Sequence, residues 1–263
     1  MYNNSISFLL DKKSIKYLFN IFEDKSAEIR LVGGCVRDAL LGKVANDIDV
    51  AAKLTTNEII NILNSNEIPY EDYAYKYGSV SIKIYEQKFQ ITALRKDVNQ
   101  IGRNTNIIFT ENWREDAERR DFSINAIYLT KHGIIKDYFN GEKHLQESKI
   151  KFIGEIDKRI KEDYLRILRY YRFLGIFKTP KIIDGYEKLL VEHFPELLKN
   201  LSNELIRIEI QKMLKNQFAL NSFFEKKNLK KKYWIEIINE HFIKTQYEIG
   251  LKKCLNKIDL LVN

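Results

Sequence analysis

The chain has 263 residues, 44% of them hydrophobic, and a formal net charge of +8. That length and apolar content suffice for a real core in one to three domains and exclude a disordered chain. No apolar run approaches a membrane span, residues 1–5 lack a basic-then-apolar leader pattern, and the two cysteines, Cys35 and Cys254, are too few and in no metal spacing, which argues against a disulfide framework or a zinc site.

In chain order, Ile15, Leu18, Phe19 and Phe22 recur at helical spacing and predict a packing helix over 14–22. Residues 28–32 read as a short buried strand ending at Gly33-Gly34. A helical pattern follows over 35–42, with Val36, Ala39 and Leu40 on one side and Gly42 as its stop. The chain returns as a second strand over 47–51. Thr55 or Thr56 caps a helix running to about Asn64. Two alternating runs, 79–85 and 88–94, form a hairpin about Glu86-Gln87. Residues 95–110 are polar and without period, and are expected to form a mobile loop. A short helix over 111–119 comes next. Residues 124–129 fit strand or helix equally, and a turn at His132-Gly133 leads to an apolar run over 134–139. Beyond about 155 the pattern is helical throughout, over 161–175, 183–193, 202–216, 230–243 and 247–261. The fold class expected is therefore α+β: a mixed-sheet head over 1–152, then a helical remainder over 153–263.

Charge divides unevenly between these parts. Residues 1–150 hold 21 Lys and Arg against 21 Asp and Glu, whereas residues 151–263 hold 23 against 15. A basic helical half beside a neutral head points to a polyanionic partner, of which nucleic acid is the commonest. Without a membrane span or a disulfide partner, a reducing cytoplasm is the expected setting.

Three blocks carry chemistry. On a strand over 47–51, Asp47 and Asp49 project from one face while Ile48 and Val50 enter the core. Paired carboxylates repel unless a cation lies between them, and hard oxygen ligands suit Mg²⁺ held together with substrate phosphates. Gly33-Gly34 supplies a turn without side chains, backed by a helix N-terminus that attracts phosphate. Together they read as a nucleotidyl-transfer site. The second block is Arg119-Arg120-Asp121-Phe122-Ser123-Ile124-Asn125-Ala126, whose donors and acceptors suit a ribose hydroxyl and a phosphate, or else a surface ion-pair cluster. The third, Glu162-Asp163-Tyr164-Leu165-Arg166, is expected to open a helix with Asp163 and Arg166 on one face. The pair is either a simple ion pair or a reader of base edges. Cytosine and adenine present an amino donor beside an unprotonated ring nitrogen; uracil and guanine present the reverse. A carboxylate beside a guanidinium accepts the first order and rejects the second.

The first block resembles the class II tRNA nucleotidyltransferase and poly(A) polymerase family, part of the polymerase-β-like nucleotidyltransferase superfamily. Its motif Gly-Gly-x-Val-Arg-Asp-x-Leu-Leu-Gly-x4-Asp-x-Asp is met at every fixed position from Gly33 to Asp49. Arg-Arg-Asp-Phe-Thr-x-Asn-Ala is met with Ser123 for Thr, and Glu-Asp-x-x-Arg is met at Glu162, Asp163 and Arg166. The resemblance covers roughly 28–176. It implies template-independent addition of CCA to the 3′ end of tRNA from CTP and ATP, with Mg²⁺ on Asp47 and Asp49. It implies triphosphate contacts from Gly33, Gly34 and Arg37, with Arg169 and Arg172 as further candidates. Ribose recognition falls to Arg119, Arg120, Asp121 and Asn125, and base selection to Asp163 and Arg166. Three departures stand out: Gln90 replaces a carboxylate often found there, Ile101-Gly102-Arg103-Asn104 replaces the usual Asp-Gly-Arg-His, and the chain stops short of typical family length. The tail that grips tRNA is therefore expected to be reduced or absent. Rival readings are a poly(A) polymerase, an enzyme adding only CC or only A, an RNA-binding pseudoenzyme, and nucleotidyl transfer to a small molecule. A basic run near Gly-Arg-Arg-Phe-Arg-Leu, expected of bacterial poly(A) polymerases, does not occur.

Overall fold

A computed structural model of the chain describes residues 2–101, 104–225, 229–244 and 249–260. It falls into two compact units, Met1–Gln100 with Thr105–Leu145, and Ile101–Asn104 with Gln146–Asn263.

The first unit opens with α1 (Tyr2–Leu10) and α2 (Lys13–Glu23). Ile15, Leu18, Phe19, Ile21 and Phe22 line the buried face of α2. The strand–helix–strand core follows as β1 (Ile29–Val32), α3 (Gly34–Leu40) and β2 (Asp47–Ala52), and then α4 (Thr56–Ser65). Thr55 caps α4 through a reciprocal box in which the Glu58 carboxylate accepts from the Thr55 N–H at 2.7 Å. After these come β3 (Tyr70–Glu71), β4 (Ser79–Ile84), β5 (Gln87–Ala93), β6 (Arg95–Ile101), β7 (Asn104–Phe109) and α5 (Trp113–Glu118). The unit closes with a 3₁₀ turn over Ser123–Asn125, β8 (Ile127–Leu129), β9 (Ile135–Asp137) and α6 (Gly141–Gln146).

Seven strands form one sheet in the order β3-β4-β5-β2-β1-β8-β9. Only β2 and β5 run parallel, with Asp47 opposite Lys88 and Asp49 opposite Gln90. On its other side β2 pairs antiparallel with β1, where Val32 faces Asp49. All four residues of β1 are buried, which fits a central strand covered on both faces. On β2 the alternation is visible at the start: Asp47 is exposed, Ile48 and Val50 are buried, and Asp49 lies between these extremes.

Residues 95–110 correct the sequence expectation, because β6 and β7 pair as a separate two-stranded sheet. The Thr110 N–H closes its base on the Leu94 carbonyl at 3.0 Å. A polar ribbon needs no apolar alternation, so periodicity gave no sign of it. The Gly102-Arg103 departure lies outside the described residues. The helix α1 has no counterpart among the sequence expectations; among its described side chains Ile6 and Leu9 are buried while Phe8 is exposed.

The second unit contains α7 (Ile156–Glu162), α8 (Leu165–Leu174), α9 (Tyr186–Glu192), α10 (Phe194–Asn200), α11 (Asn203–Leu214) and α12 (Leu220–Phe223). A short ribbon, β10 (Phe224–Glu225) with β11 (Lys230–Lys231), precedes α13 (Tyr233–Lys244) and α14 (Ile249–Leu260). Its core is aromatic. Tyr171, Phe194, Phe223 and Trp234 are fully buried, with the Tyr171 and Trp234 rings 5.0 Å apart and Phe194 stacked on Trp234.

Lys232 enters this core, with Nζ 5.0 Å from the centre of the Tyr171 ring and 3.8 Å from the Glu187 carboxylate. Burial pulls its pKa down from 10.5 to about 8, with Glu187 offsetting only part of the effect. Below pH 8 folded and unfolded chains both carry this proton, and the buried charge costs its full desolvation. Between pH 8 and 10.5 the folded chain has shed a proton that the unfolded chain keeps, so stability rises across that window. Lys232→Met should therefore stabilise the protein near neutral pH by about 1–3 kcal/mol. Denaturant melts of both proteins from pH 7 to 10.5 check this: the gap should narrow as pH rises, and a constant or reversed gap contradicts it.

Candidate active site

At the end of β1 the backbone turns through Gly33, whose φ of +78° favours glycine over any L side chain. The requirement is conformational, since the space itself would admit a methyl group at ordinary contact distances. A Cβ there would stand 3.4 Å from Asp49 Oδ2, 3.6 Å from Arg120 Nη1 and 3.8 Å from the Asn125 carbonyl. One backbone position thus marks where the glycine turn, the second carboxylate and the Arg-Arg-Asp block converge. Gly34 begins α3, and the Arg37 N–H bonds back to the Gly33 carbonyl at 3.0 Å.

Burial raises the Asp49 carboxyl above its ordinary value. Arg120 opposes this, the neighbouring Asp47 adds to it, and Arg37 opposes it in turn. Asp47 and Asp49 therefore sense each other from one face of β2, as the strand period requires. Beneath them Cys35 donates to the Val32 carbonyl at 3.3 Å. Burial, reinforced by Asp49, pushes its thiol up to about 12, so it is packing rather than a nucleophile.

The donor set fits a hard divalent cation: two carboxylates, one half-buried, beside a side-chain-free turn. Among the described residues no group of three or more His, Cys, Asp or Glu could hold a metal ion. Gln90, beside Asp49 across the parallel pair, is exposed and neutral. Substrate phosphate oxygens and water are the usual remaining ligands of a divalent cation held by two carboxylates.

The Arg-Arg-Asp block packs against this turn. Arg37 Nη1 donates to Asn125 Oδ1 at 2.7 Å, and Asn125 Nδ2 donates to Asp121 Oδ1 at 3.1 Å. Asp121 also accepts from the Phe122 N–H at 2.8 Å. Asp121 and Asn125 are both buried, so they brace Arg37 from below. Arg119 and Arg120 converge on Asp116, at 2.8 and 3.1 Å. The Tyr128 hydroxyl donates to Asp116 at 2.7 Å. Sequence reasoning passed over Asp116. Its spacing to the two arginines looks like that of an ordinary surface ion pair, although α5 ends at Glu118 and Arg120 lies beyond it.

The remaining candidates lie in the second unit. Asp163 corrects the expectation: α7 ends at Glu162, and Asp163 is extended at φ −157°, ψ 104°, so the pair with Arg166 spans a helix–break–helix junction. Its Oδ1 accepts from the Leu165 N–H at 3.0 Å, a side chain-to-backbone bond that favours such breaks. Arg166 is buried and donates to Glu162 Oε2 and to the Arg159 carbonyl, each at 2.7 Å. Arg169 is partly exposed. Arg172 pairs with buried Glu209 at 3.0 Å and stacks on Phe173.

The family model for the poly A polymerase head domain matches residues 29–151. These residues belong to that family. The head domain and the helices after it are similar to CCA tRNA nucleotidyltransferase 1, mitochondrial, of Homo sapiens, at 38% identity over 204 residues, 77% of this chain and 47% of the relative. They are 33% identical to the CCA-adding enzyme of Geobacillus thermodenitrificans over 194 residues, covering 73% and 46% of the two chains. The chain spans about half the length of these curated relatives. The fold matches the Bacillus stearothermophilus CCA-adding enzyme in complex with CTP with a TM-score of 0.70 at 28% identity, over 80% of this chain and 50% of that one. It also matches the Thermotoga maritima CCA-adding enzyme complexed with tRNA, with a TM-score of 0.65 at 26% identity, over 82% and 52%. The fold class is thus the mixed α+β arrangement expected. Families of this kind typically use a divalent metal. No described helix is long and apolar enough to cross a membrane, and Cys35 and Cys254 are free and buried.

Proposed function

We propose that this chain adds CCA to the 3′ end of tRNA from CTP and ATP, releasing pyrophosphate at each step. The observation that carries the reading is the meeting of Gly33, Asp49 and Arg120 around one backbone point, in a head whose relatives are CCA-adding enzymes. Residues 1–152 act as the catalytic head, and 153–263 select the nucleotide and bind RNA through the basic surplus of the second half. Asp47 and Asp49 hold Mg²⁺, which when bound supplies Lewis-acid stabilisation of phosphate charge and a lowered 3′-hydroxyl pKa.

The protein's own groups do the rest. Gly33 and Gly34 let the triphosphate approach the backbone. Arg37 meets its charge, with Arg169 and Arg172 as further contacts. Arg119, Arg120, Asp121 and Asn125 recognise the ribose, and Asp163 and Arg166 read the amino and ring-nitrogen edges of C and A. Catalysis then comes mainly from positioning and electrostatic complementarity. The free, buried cysteines suit the cytoplasmic setting that forms part of this proposal.

The test is to offer tRNA lacking its 3′ end with CTP alone, ATP alone and both, and to size the products. Two Cs followed by one A is the expected result. A long A ladder would identify a poly(A) polymerase, stalling after CC or failure to start without it a partial enzyme, and no extension a pseudoenzyme.

A further inference from the structure

Arg120 stands between two kinds of carboxylate. One nitrogen, Nη1, lies beside the Gly33 turn, where Asp49 Oδ2 also lies. Another, Nη2, pairs with Asp116 Oδ2 at 3.1 Å, while Nε donates to the Tyr128 hydroxyl at 3.3 Å. Tyr128 in turn donates to Asp116, and the guanidinium lies 5.3 Å from the centre of the Tyr128 ring. Asp116 is itself tied down from several sides. It takes Arg119 Nε and Nη2 at 2.9 and 2.8 Å and the Arg95 N–H at 3.4 Å. Trp113 and Tyr138 pack edge-on against Tyr128 and hold that hydroxyl in place.

These contacts solve a problem that the metal site creates. A guanidinium within reach of a half-buried carboxylate tends to pair with it, and a carboxylate so paired is a poor ligand for a divalent cation. Among the described residues Asp49 forms no ion pair, although Arg120 lies close enough to influence its charge. The buried Asp116 carboxylate competes better for the guanidinium than Asp49 does, because less water screens it. Burial alone would raise the Asp116 carboxyl. Arg119, Arg120 and the Tyr128 hydroxyl outweigh that and hold it well below the usual carboxylate range, so it stays ionised.

We infer that Asp116 is a positioning residue that holds Arg120 back from Asp49 and so keeps the Asp49 carboxylate open to a divalent cation. This rests on the nucleotidyl-transfer reading, but it concerns cation binding alone and needs neither nucleotide nor RNA. In Asp116→Asn the isosteric amide keeps its volume and loses its charge. Arg120 then turns to Asp49 and competes with the cation.

The test titrates the full chain with Mn²⁺ alone, following free Mn²⁺ by its paramagnetic resonance. Asp116→Asn should weaken Mn²⁺ binding by about tenfold. Adding Arg120→Gln to that variant should restore most of the affinity. A merely structural role for Asp116 cannot produce such a rescue, since a second change in a damaged core does not repair it. Tyr128→Phe keeps both charges but loses one hydroxyl bridge, and should weaken binding in the same direction by a smaller factor. It carries the test if Asp116→Asn fails to fold. Unchanged affinity in whichever of these variants folds, or a double variant no better than Asp116→Asn, would overturn the inference and leave the functional reading standing. A wild-type chain that binds no Mn²⁺ would overturn both.

Discussion

Asp47→Ala should lower nucleotide incorporation by about a thousandfold or more while leaving tRNA affinity within about twofold, because the metal term acts on the reacting phosphate and not on RNA docking. Asp47 is exposed at the start of β2, so its removal leaves no buried partner unpaired and the fold should melt as before. Asp49→Asn should be equally inactive. It is the more delicate change, since Asp49 is partly buried beside Gly33, Arg37 and Arg120. Single-turnover extension of tRNA lacking its 3′ end, with filter binding of the same RNA, separates the two quantities. Activity surviving in Asp47→Ala removes the metal assignment. A parallel loss of RNA binding shifts the role of β2 from chemistry to docking.

The second large effect concerns base choice. Asp163 Oδ1 accepts from the Leu165 N–H, and the other oxygen is the one proposed to accept from the amino group of C or A. Asp163→Asn keeps a carbonyl oxygen for the backbone bond and swaps the second acceptor for a donor, so the helix break should persist. The new donor suits the O4 carbonyl of uracil. The ratio of kcat/KM for CTP over UTP should fall by about 10–100-fold, the scale of one well-made base-edge contact. Steady-state kinetics with each nucleotide measure it. A ratio unmoved by Asp163→Asn would mean that base choice resides elsewhere. Arg166 is a poorer first target, because it is buried and its guanidinium also serves Glu162 and the Arg159 carbonyl, so truncation would disturb that packing along with any base contact.

The core of the head was legible because several local rules agree there. Glycines, a short helix and alternating aspartates each fix one part of the β1–α3–β2 unit, and the Thr55–Glu58 box marks the next helix by chemistry alone. The β6–β7 ribbon was not legible, since its stability comes from backbone pairing that leaves no apolar period. Asp163 misled for a different reason. Charged residues three apart resemble a helical pair, yet here the carboxylate bonds to the main chain and breaks the helix. Asp116 escaped notice because nothing local distinguishes a buried carboxylate from a solvated one. Only the tertiary arrival of Tyr128 and Arg95 reveals it.

The parallel pairing of β2 with β5 has a consequence for how the molecule assembles. β4 and β5 meet through a tight turn at Tyr85-Glu86 and can zip together early, as a local hairpin does. The strand bearing Asp47 and Asp49 meets β5 only after the intervening chain, including α4 and β4, has closed into a long loop, which is slow and entropically costly. Refolding followed by hydrogen exchange should therefore find the β4–β5 amides protected before those shared by β2 and β5. Catalytic competence would be among the last properties the head acquires.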